Sequence, residues 1–161
     1  MTFDPMPERA QEPIKGPLYF FKAEITSALP KFKSDFARAM GHFREERYRY
    51  GYMTKTGKLA IAPQFGTAEN FSEDLAVISA VKRVETETSI KIYTPKGVIN
   101  RKGELVIPTK FDKIGAFSNG LAKAKLPTPT FSTDREKSKI YEGYINPKGE
   151  FVIPFELGES M

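Results

Sequence analysis

Short apolar runs around glycine-containing turns recur along the second two thirds of the chain. In segment 98–108, VINRKGELVIP, a β-branched run meets Asn-Arg-Lys-Gly and a second β-branched run follows. Segment 144–154, YINPKGEFVIP, has the same arrangement. Two such runs joined by a short turn with glycine are typical of a β-hairpin. The pattern therefore predicts two hairpins of one design.

The spacing of the glycines shows that these hairpins belong to an internal repeat. Glycines six residues apart recur every 46 residues, as the pairs Gly51/Gly57, Gly97/Gly103 and Gly143/Gly149. When residues 51–78 are aligned without gaps with the residues 46 positions later, nine of 28 positions are identical. The same alignment of residues 97–111 gives nine identical positions of 15. Such a period indicates a stack of similar units. We predict an all-β fold in which tandem β-hairpin repeats form a solenoid-like or curved antiparallel array.

The repeat divides the chain into predicted segments. These are a flexible N-terminal tail (1–16), an atypical partial repeat (17–50), repeat 1 (51–96), repeat 2 (97–142) and a truncated C-terminal repeat (143–161). The partial repeat is inferred because FKSDFA at 32–37 resembles FSEDLA at 71–76. Apolar residues in 32–48 also occur at helical spacing. Because the alignment with the later repeats favours strand, we predict strand for this segment.

Particular residues have predicted roles within each hairpin. Asn100 suits the first position of a type I turn, and Gly103 suits the left-handed position that closes it. Pro108 lacks an amide donor, so we expect it to end the second strand. The corresponding residues of the last hairpin are Asn146, Gly149 and Pro154. Two phenylalanines follow each hairpin, as in FGTAENFSED and FDKIGAFSNG, and we expect them to fill the core.

Composition excludes several kinds of chemistry. The chain has no cysteine and one histidine, His42, which excludes thiol catalysis, disulfides and sites with several histidines. No apolar stretch approaches the roughly 18 residues that span a bilayer. The first residues have no apolar run typical of a secretory signal. We therefore expect a cytoplasmic protein that does not associate with membranes.

Candidate catalytic groups have simpler structural explanations. His42 lies near Glu45 and Glu46 but has no serine or cysteine partner, so we interpret it as structural or merely exposed. Glu73 and Asp74 are adjacent, and we interpret them as solvated turn acids. The repeated glycines precede strands and no GKS or GKT follows, which disfavours a phosphate loop. We predict no catalytic residue, no metal and no cofactor.

The motifs together resemble a bacterial repeat family. YGYMTKTGKLAIAPQF, FSEDLAV and GVINRKGELVIPTKFDKIGAFSNGLAKA are similar to the WG repeat, over about residues 32–157. Gly51-Tyr52-Met53, Gly97-Val98-Ile99 and Gly143-Tyr144-Ile145 fall on its glycine-tyrosine-isoleucine segment. The resemblance implies a β-hairpin array that serves as a binding scaffold. It implies no activity and no catalytic residues.

The tryptophan that gives this family its name is absent. The residue before the repeat glycine is Tyr50, Lys96 or Glu142, and the chain contains no tryptophan. Losing a buried aromatic side chain removes packing worth about 3–5 kcal/mol. Either Tyr93 and Tyr141 fill the space, or these units pack differently.

The variable connections between the repeats are the predicted binding surface. Repeat arrays carry specificity where similar frames differ, here in 82–96 and 126–142. We expect their basic residues to face solvent and to bind a partner. They are Lys82, Arg83, Lys91, Arg135, Lys137 and Lys139. The expected partner is another protein with acidic character, such as a secreted toxin neutralised by an antitoxin or immunity protein.

Net charge leaves one alternative open. The formal charge is +5, from 25 Lys and Arg against 20 Asp and Glu. This surplus is modest and is mixed with acids, which makes nucleic acid a less favoured partner. The alternative function is binding of nucleic acid or an anionic polysaccharide through the basic loops.

Overall fold

A computed structural model describes residues 14–127 and 142–154 of the chain. These residues form thirteen strands, a short 3-10 turn and two short helices. The strands are β1 (Leu18–Glu24), β2 (Tyr48–Thr54), β3 (Leu59–Phe65), β4 (Thr67–Ala68), β5 (Leu75–Ser79), β6 (Lys82–Glu85), β7 (Ile90–Tyr93), β8 (Lys96–Asn100), β9 (Leu105–Phe111), β10 (Lys113–Ile114), β11 (Ala122–Lys125), β12 (Glu142–Ile145) and β13 (Phe151–Pro154). The 3-10 turn is Thr26–Ala28, and the helices are α1 (Asp35–Met40) and α2 (Arg44–Arg47).

Three sheets repeat one antiparallel arrangement. The first sheet has the order β1-β2-β3, the second β4-β5-β8-β9 and the third β10-β11-β12-β13. In each sheet the repeat glycine lies opposite a residue of the preceding strand. The pairs are Phe21–Gly51, Ile78–Gly97 and Ala124–Gly143. The prediction of an all-β array of tandem hairpin repeats is confirmed.

The first two repeat hairpins each contain a bulge that includes a proline, Pro63 and Pro108. Between the pairs Val98–Ile107 and Lys96–Phe111, β9 advances four residues while β8 advances two. Pro108 lies in this bulge, and β9 continues through it to Phe111. The prediction that Pro108 ends the strand was therefore wrong. Since β9 is an edge strand, a residue without an amide donor is tolerated there.

The bulged strand closes over the repeat glycine. A Cβ added to Gly97 would lie 2.6 Å from the carbonyl oxygen of Ile107 and 3.0 Å from the carbonyl carbon of Pro108. One added to Gly51 would lie 2.5 Å from the carbonyl oxygen of Ile61. Because real Cβ atoms do not approach backbone this closely, only glycine fits at these positions.

The predicted hairpin turns are confirmed. The carboxamide oxygen of Asn100 accepts hydrogen bonds from the amides of Lys102 and Glu104, both at 3.0 Å. Gly103 has a φ of 87°, the left-handed conformation that the turn requires. In repeat 1, Thr54 takes the place of asparagine, and its hydroxyl accepts from the amide of Lys58 at 3.1 Å.

The second sheet is buried on both faces. Ala76, Ile78 and Ile99 belong to a core that it shares with the first sheet. Val77 and Val98, on its other face, belong to a core shared with the third sheet. A strand buried on both faces is a continuous apolar run, which explains the sequence LAVIS at 75–79.

The predicted phenylalanine positions contribute to these cores. Phe65, Phe111 and Phe117 are buried. Phe71 is half-buried and packs edge-on against Tyr52, with the ring centroids 4.9 Å apart. Each core therefore receives both phenylalanines of its repeat.

Successive repeats also bond through their FSEDL-type turns. Glu73 and Asp74 have φ values of 57° and 66°, as in a type I′ turn. The Glu73 carboxylate accepts the backbone amides of Asn119 and Gly120, at 2.5 and 2.9 Å, in the equivalent turn of repeat 2. Both acids are exposed as predicted, but Glu73 also links two repeats.

Residues 32–48 differ from the strand prediction. They form α1 and α2, with a strand beginning only at Tyr48. The Ser34 hydroxyl caps α1 by accepting the amide of Ala37 at 3.0 Å, and Gly41 ends it at a φ of 80°. The strand that pairs with β2 is instead β1. Local capping thus outweighed the resemblance of FKSDFA to FSEDLA.

Part of the predicted N-terminal tail lies against the array. Ile14 packs on the first core. The Arg101 guanidinium donates to the carbonyl oxygens of Ile14 and Gly16, at 2.6 and 2.5 Å. Residues 1–13 lie outside the described ranges.

We predict that Gly97→Ala destabilises the protein by about 1–3 kcal/mol, because the new methyl group overlaps the bulge backbone. Urea unfolding should give a lower midpoint with an unchanged slope. Gly115→Ala is the matched control, since its Cβ would lie 3.7 Å from the nearest atom, an ordinary contact. Equal stability of the two variants would contradict the close approach.

Candidate binding surface

The long connections between paired strands all start from the same end of the strands. They begin after the pairs Glu24–Tyr48, Ser79–Lys96 and Lys125–Glu142, at the strand ends opposite the tight turns. The first connection holds α1 and α2, and the second folds into β6 and β7. Most of the third, residues 128–141, is outside the described ranges. The predicted partner-binding residues Arg135, Lys137 and Lys139 fall there.

The second connection is a hairpin whose turn is formed by ETETS, residues 85–89. β6 pairs with β7 through Lys82–Tyr93, Arg83–Ile92, Val84–Lys91 and Glu85–Ile90. At the turn, the Thr86 amide donates to the Ser89 carbonyl at 2.8 Å. The Thr86 hydroxyl accepts the Ser89 amide at 2.9 Å. The tip is therefore held by its own hydrogen bonds.

The outer face of this hairpin mixes cations with apolar groups. Lys82 and Lys91 are exposed, as predicted. Val84 and Tyr93, on the same face, are 47% and 46% exposed. This face thus combines two ammonium groups with an accessible aromatic ring and an aliphatic side chain. We call these four residues the hairpin face.

Arg83 lies on the opposite face and is buried. Its side chain is 7% exposed, so the prediction that it faces solvent was wrong. The guanidinium donates to Glu85 at 2.5 Å and to the Glu46 carboxylate in α2. It also donates to the carbonyl oxygen of Gly41 at 3.3 Å. Strand alternation places residues 83 and 85 together under the hairpin, where α1 and α2 cover them.

Residues from the first connection complete the environment of Arg83. The rings of Phe32 and Phe43 lie 5.7 and 5.8 Å from its guanidinium carbon, within range of cation–π attraction. Glu46 is 1% exposed and also accepts the Phe43 amide at 3.1 Å. This cluster fixes the hairpin to the N-terminal helices. Sequence analysis missed the pairing of Arg83 with Glu46, because the two residues are 37 positions apart in the chain. It also missed the pairing with Glu85, although that residue is on the same face of the same strand, two positions away.

His42 has a structural environment. Its Nε2 donates to the carbonyl oxygen of Pro30 at 2.6 Å, and its ring lies 4.6 Å from that of Phe32. Glu46, one of its two acidic neighbours in sequence, is bound to Arg83 instead. This arrangement agrees with the structural interpretation of His42.

The positions expected to hold tryptophan have three different neighbourhoods. Tyr50 packs edge-on against Phe20, with the ring centroids 5.9 Å apart. Lys96 donates to the Thr67 hydroxyl at 3.2 Å, and Thr67 in turn donates to the buried Ser79 at 3.0 Å. Tyr93 is on the exposed hairpin face and does not fill the space beside Lys96.

The third of these positions carries an ion pair. Glu142 lies 3.8 Å from Lys125, and both side chains are largely accessible. Tyr141, the other proposed replacement, is outside the described ranges. Polar contacts therefore replace an aromatic side chain at two of the three positions.

Two further searches concern the described residues only. In 14–127 and 142–154, no three His, Cys, Asp or Glu side chains gather closely enough to hold a metal ion. Across the same ranges, no helix has the length and apolar character needed to cross a bilayer.

Comparison with known families identifies the repeat. A family profile described as "WG containing repeat" matches residues 50–79, 97–126 and 143–159. The three matches begin at or next to the three repeat glycines that organise the sheets. Searches of curated proteins and of solved structures found no match.

We predict that Arg83→Ala destabilises the protein by about 3–5 kcal/mol, because it leaves the Glu46 carboxylate buried without its cation. Lys82→Ala, one residue away on the exposed face, should change stability by less than about 0.5 kcal/mol. Thermal unfolding of both variants measures the difference. Similar losses would show that burial of Arg83 does not hold the hairpin.

The ion pair also predicts a dependence on pH. Burial alone would raise the pKa of Glu85. Hydrogen bonds from the Arg83 guanidinium and the Lys33 backbone amide, together with the positive charges of the Arg83 and Lys33 side chains, lower this pKa. A lowered pKa stabilises the folded state above the ordinary glutamate value of about 4.3, and this contribution disappears as pH falls through the folded pKa. Glu85→Gln should therefore be less stable than wild type at neutral pH.

The difference between wild type and Glu85→Gln should close in acid. Urea unfolding from neutral pH to about pH 3 would follow it. The control is Glu87→Gln, at the exposed tip of the same hairpin, for which no such convergence is expected. A gap that persists unchanged in acid would contradict the role of ionised Glu85.

Proposed function

The chain belongs to the WG repeat family, and on that premise we propose that it is a non-enzymatic scaffold that binds another protein. The observation that carries the proposal is the hairpin face, Lys82, Val84, Lys91 and Tyr93, presented on a connection that the repeat frame leaves variable.

Rigid attachment supports this use of the hairpin. The contacts of Arg83 with Glu46 and with the carbonyl oxygen of Gly41 hold the inner face of the hairpin against α2 and the end of α1. A surface that is ordered before binding loses less conformational entropy when a partner docks. The outer face is therefore already in position for recognition.

Its chemistry favours an acidic protein. Tyrosine is enriched among the residues that contribute most to protein interfaces, and Tyr93 is accessible here. Lys82 and Lys91 would pair with carboxylates at the rim, and the formal charge of +5 would speed the approach of an acidic partner. We propose that such a partner is a secreted toxin, which this protein neutralises as an antitoxin or immunity protein in the cytoplasm.

A charge-reversal experiment tests the proposal. Tagged wild type and the double variant Lys82→Glu/Lys91→Glu would capture partners from lysate of the source organism, quantified by mass spectrometry. The control is Lys58→Glu/Lys102→Glu, which makes the same charge change at exposed turns on the opposite edge. We expect an acidic partner enriched by wild type and control, and reduced about tenfold or more with the hairpin variant.

Two results would overturn the proposal. One is that no protein is enriched by wild type. The other is equal loss in both double variants, which would indicate non-specific attraction by net charge. If wild type instead binds generic DNA or heparin at low salt, with affinity falling steeply as salt rises, the alternative of nucleic acid or anionic polysaccharide binding is favoured.

A further inference from the structure

The outer face of the third sheet carries an unusual set of charges. Lys113 lies directly opposite Lys125 in the antiparallel ladder, and Lys125 lies opposite Glu142. Lys123 lies opposite Tyr144 on the same face, because residues two apart on a strand share a face. Three lysines therefore stand together with one carboxylate.

Apart from Lys96, the equivalent face of the second sheet carries apolar or small side chains. The residues 46 positions earlier are Thr67, Val77, Ser79, Lys96 and Val98. Val77, Ser79 and Val98 are buried beneath the third sheet. In the third sheet, Lys123 replaces Val77, Lys125 replaces Ser79 and Tyr144, 39% exposed, replaces Val98. Repeat 2 therefore differs from repeat 1 in a way that converts a stacking face into a cationic one.

Solvent exposure alone does not account for this arrangement. An exposed sheet face needs polar side chains, and charges of mixed sign would provide them. Like charges directly opposite each other destabilise a sheet, which applies to Lys113 and Lys125. Glu142, at 3.8 Å from Lys125, offsets only one of the three charges. A bound anion would relieve the remaining repulsion.

A groove lies beside these lysines. Its volume is about 540 Å³, within the range of small-ligand pockets. Lys96 of the second sheet lines it together with all three lysines and Glu142, and Ile114, Gly115 and Ala124 complete the lining. Lys96 and Glu142 occupy two of the positions where the family has tryptophan, so the groove is built from residues that depart from the family pattern.

We propose that this groove binds a compact anion with at least two phosphate or carboxylate groups. The lysines would bind the charged groups, since lysine acts as a point charge for such anions. The site is separate from the hairpin face and does not depend on the proposed protein partner.

Calorimetric titration at low ionic strength with pyrophosphate, and separately with citrate, tests the proposal. We expect saturable binding of at least one probe by wild type. Lys113→Gln and Lys123→Gln should each weaken it about tenfold, whereas Glu142→Gln should strengthen it severalfold by removing a repelling carboxylate. Lys102→Gln, at an exposed turn outside the groove, is the control and should bind like wild type. Preference between the two probes distinguishes phosphate from carboxylate ligands.

Stability measurements keep the result interpretable. Without anion, Lys113→Gln should unfold at a temperature no lower than wild type, because it removes a like-charge pair. Failure of both probes to bind would overturn the proposal, as would equal affinities for the groove variants and the control. In that case the lysines would be only the solvated outer face of the third sheet.

Discussion

The close approach of the bulged strand to the repeat glycine is the constraint on which the array depends. At Gly97 the carbonyl of Ile107 occupies the space that a side chain would need. In the bulge that brings it there, β9 advances four residues while β8 advances two, and Pro108 lies on the edge of the sheet. The same geometry recurs at Gly51. This close approach sets how these two hairpins close. It therefore also sets the position of the phenylalanine that follows the bulge, Phe65 or Phe111, in the core.

The elements built on local chemistry could be predicted from the sequence. Turn residues such as Asn100 and Gly103 act within a few positions of themselves, and the 46-residue period exposes them by repetition. Residues 32–48 show the limit of that reasoning. Ser34 and Gly41 are clear helix-capping signals. The resemblance of FKSDFA at 32–37 to FSEDLA at 71–76 nevertheless suggested a strand. Local capping prevailed because this segment has no partner strand to extend.

The candidate surfaces were predictable only in part. Alternation separates Lys82 from Arg83, yet which of them faces solvent depends on α1 and α2, which the sequence of the hairpin does not specify. The lysines of the third sheet had a readable signal, since Lys123 stands where Val77 stood one period earlier. Recognising it required knowing that Val77 is covered by the next sheet. Both proposed binding sites therefore lie where the repeat pattern is broken, in the second connection and on the outer face of the third sheet.

The bond from Glu73 to the turn of repeat 2 gives the array a direction. Asn119, the residue 46 positions later, carries an amide where Glu73 carries a carboxylate. The turn amides of repeat 2 bind the carboxylate of repeat 1, but repeat 2 has no carboxylate at this position with which to bind a following repeat. The two repeats are consequently not interchangeable in recombination. An array lengthened by copying residues 51–96 would keep an acidic link at every new joint, whereas copying 97–142 would omit it.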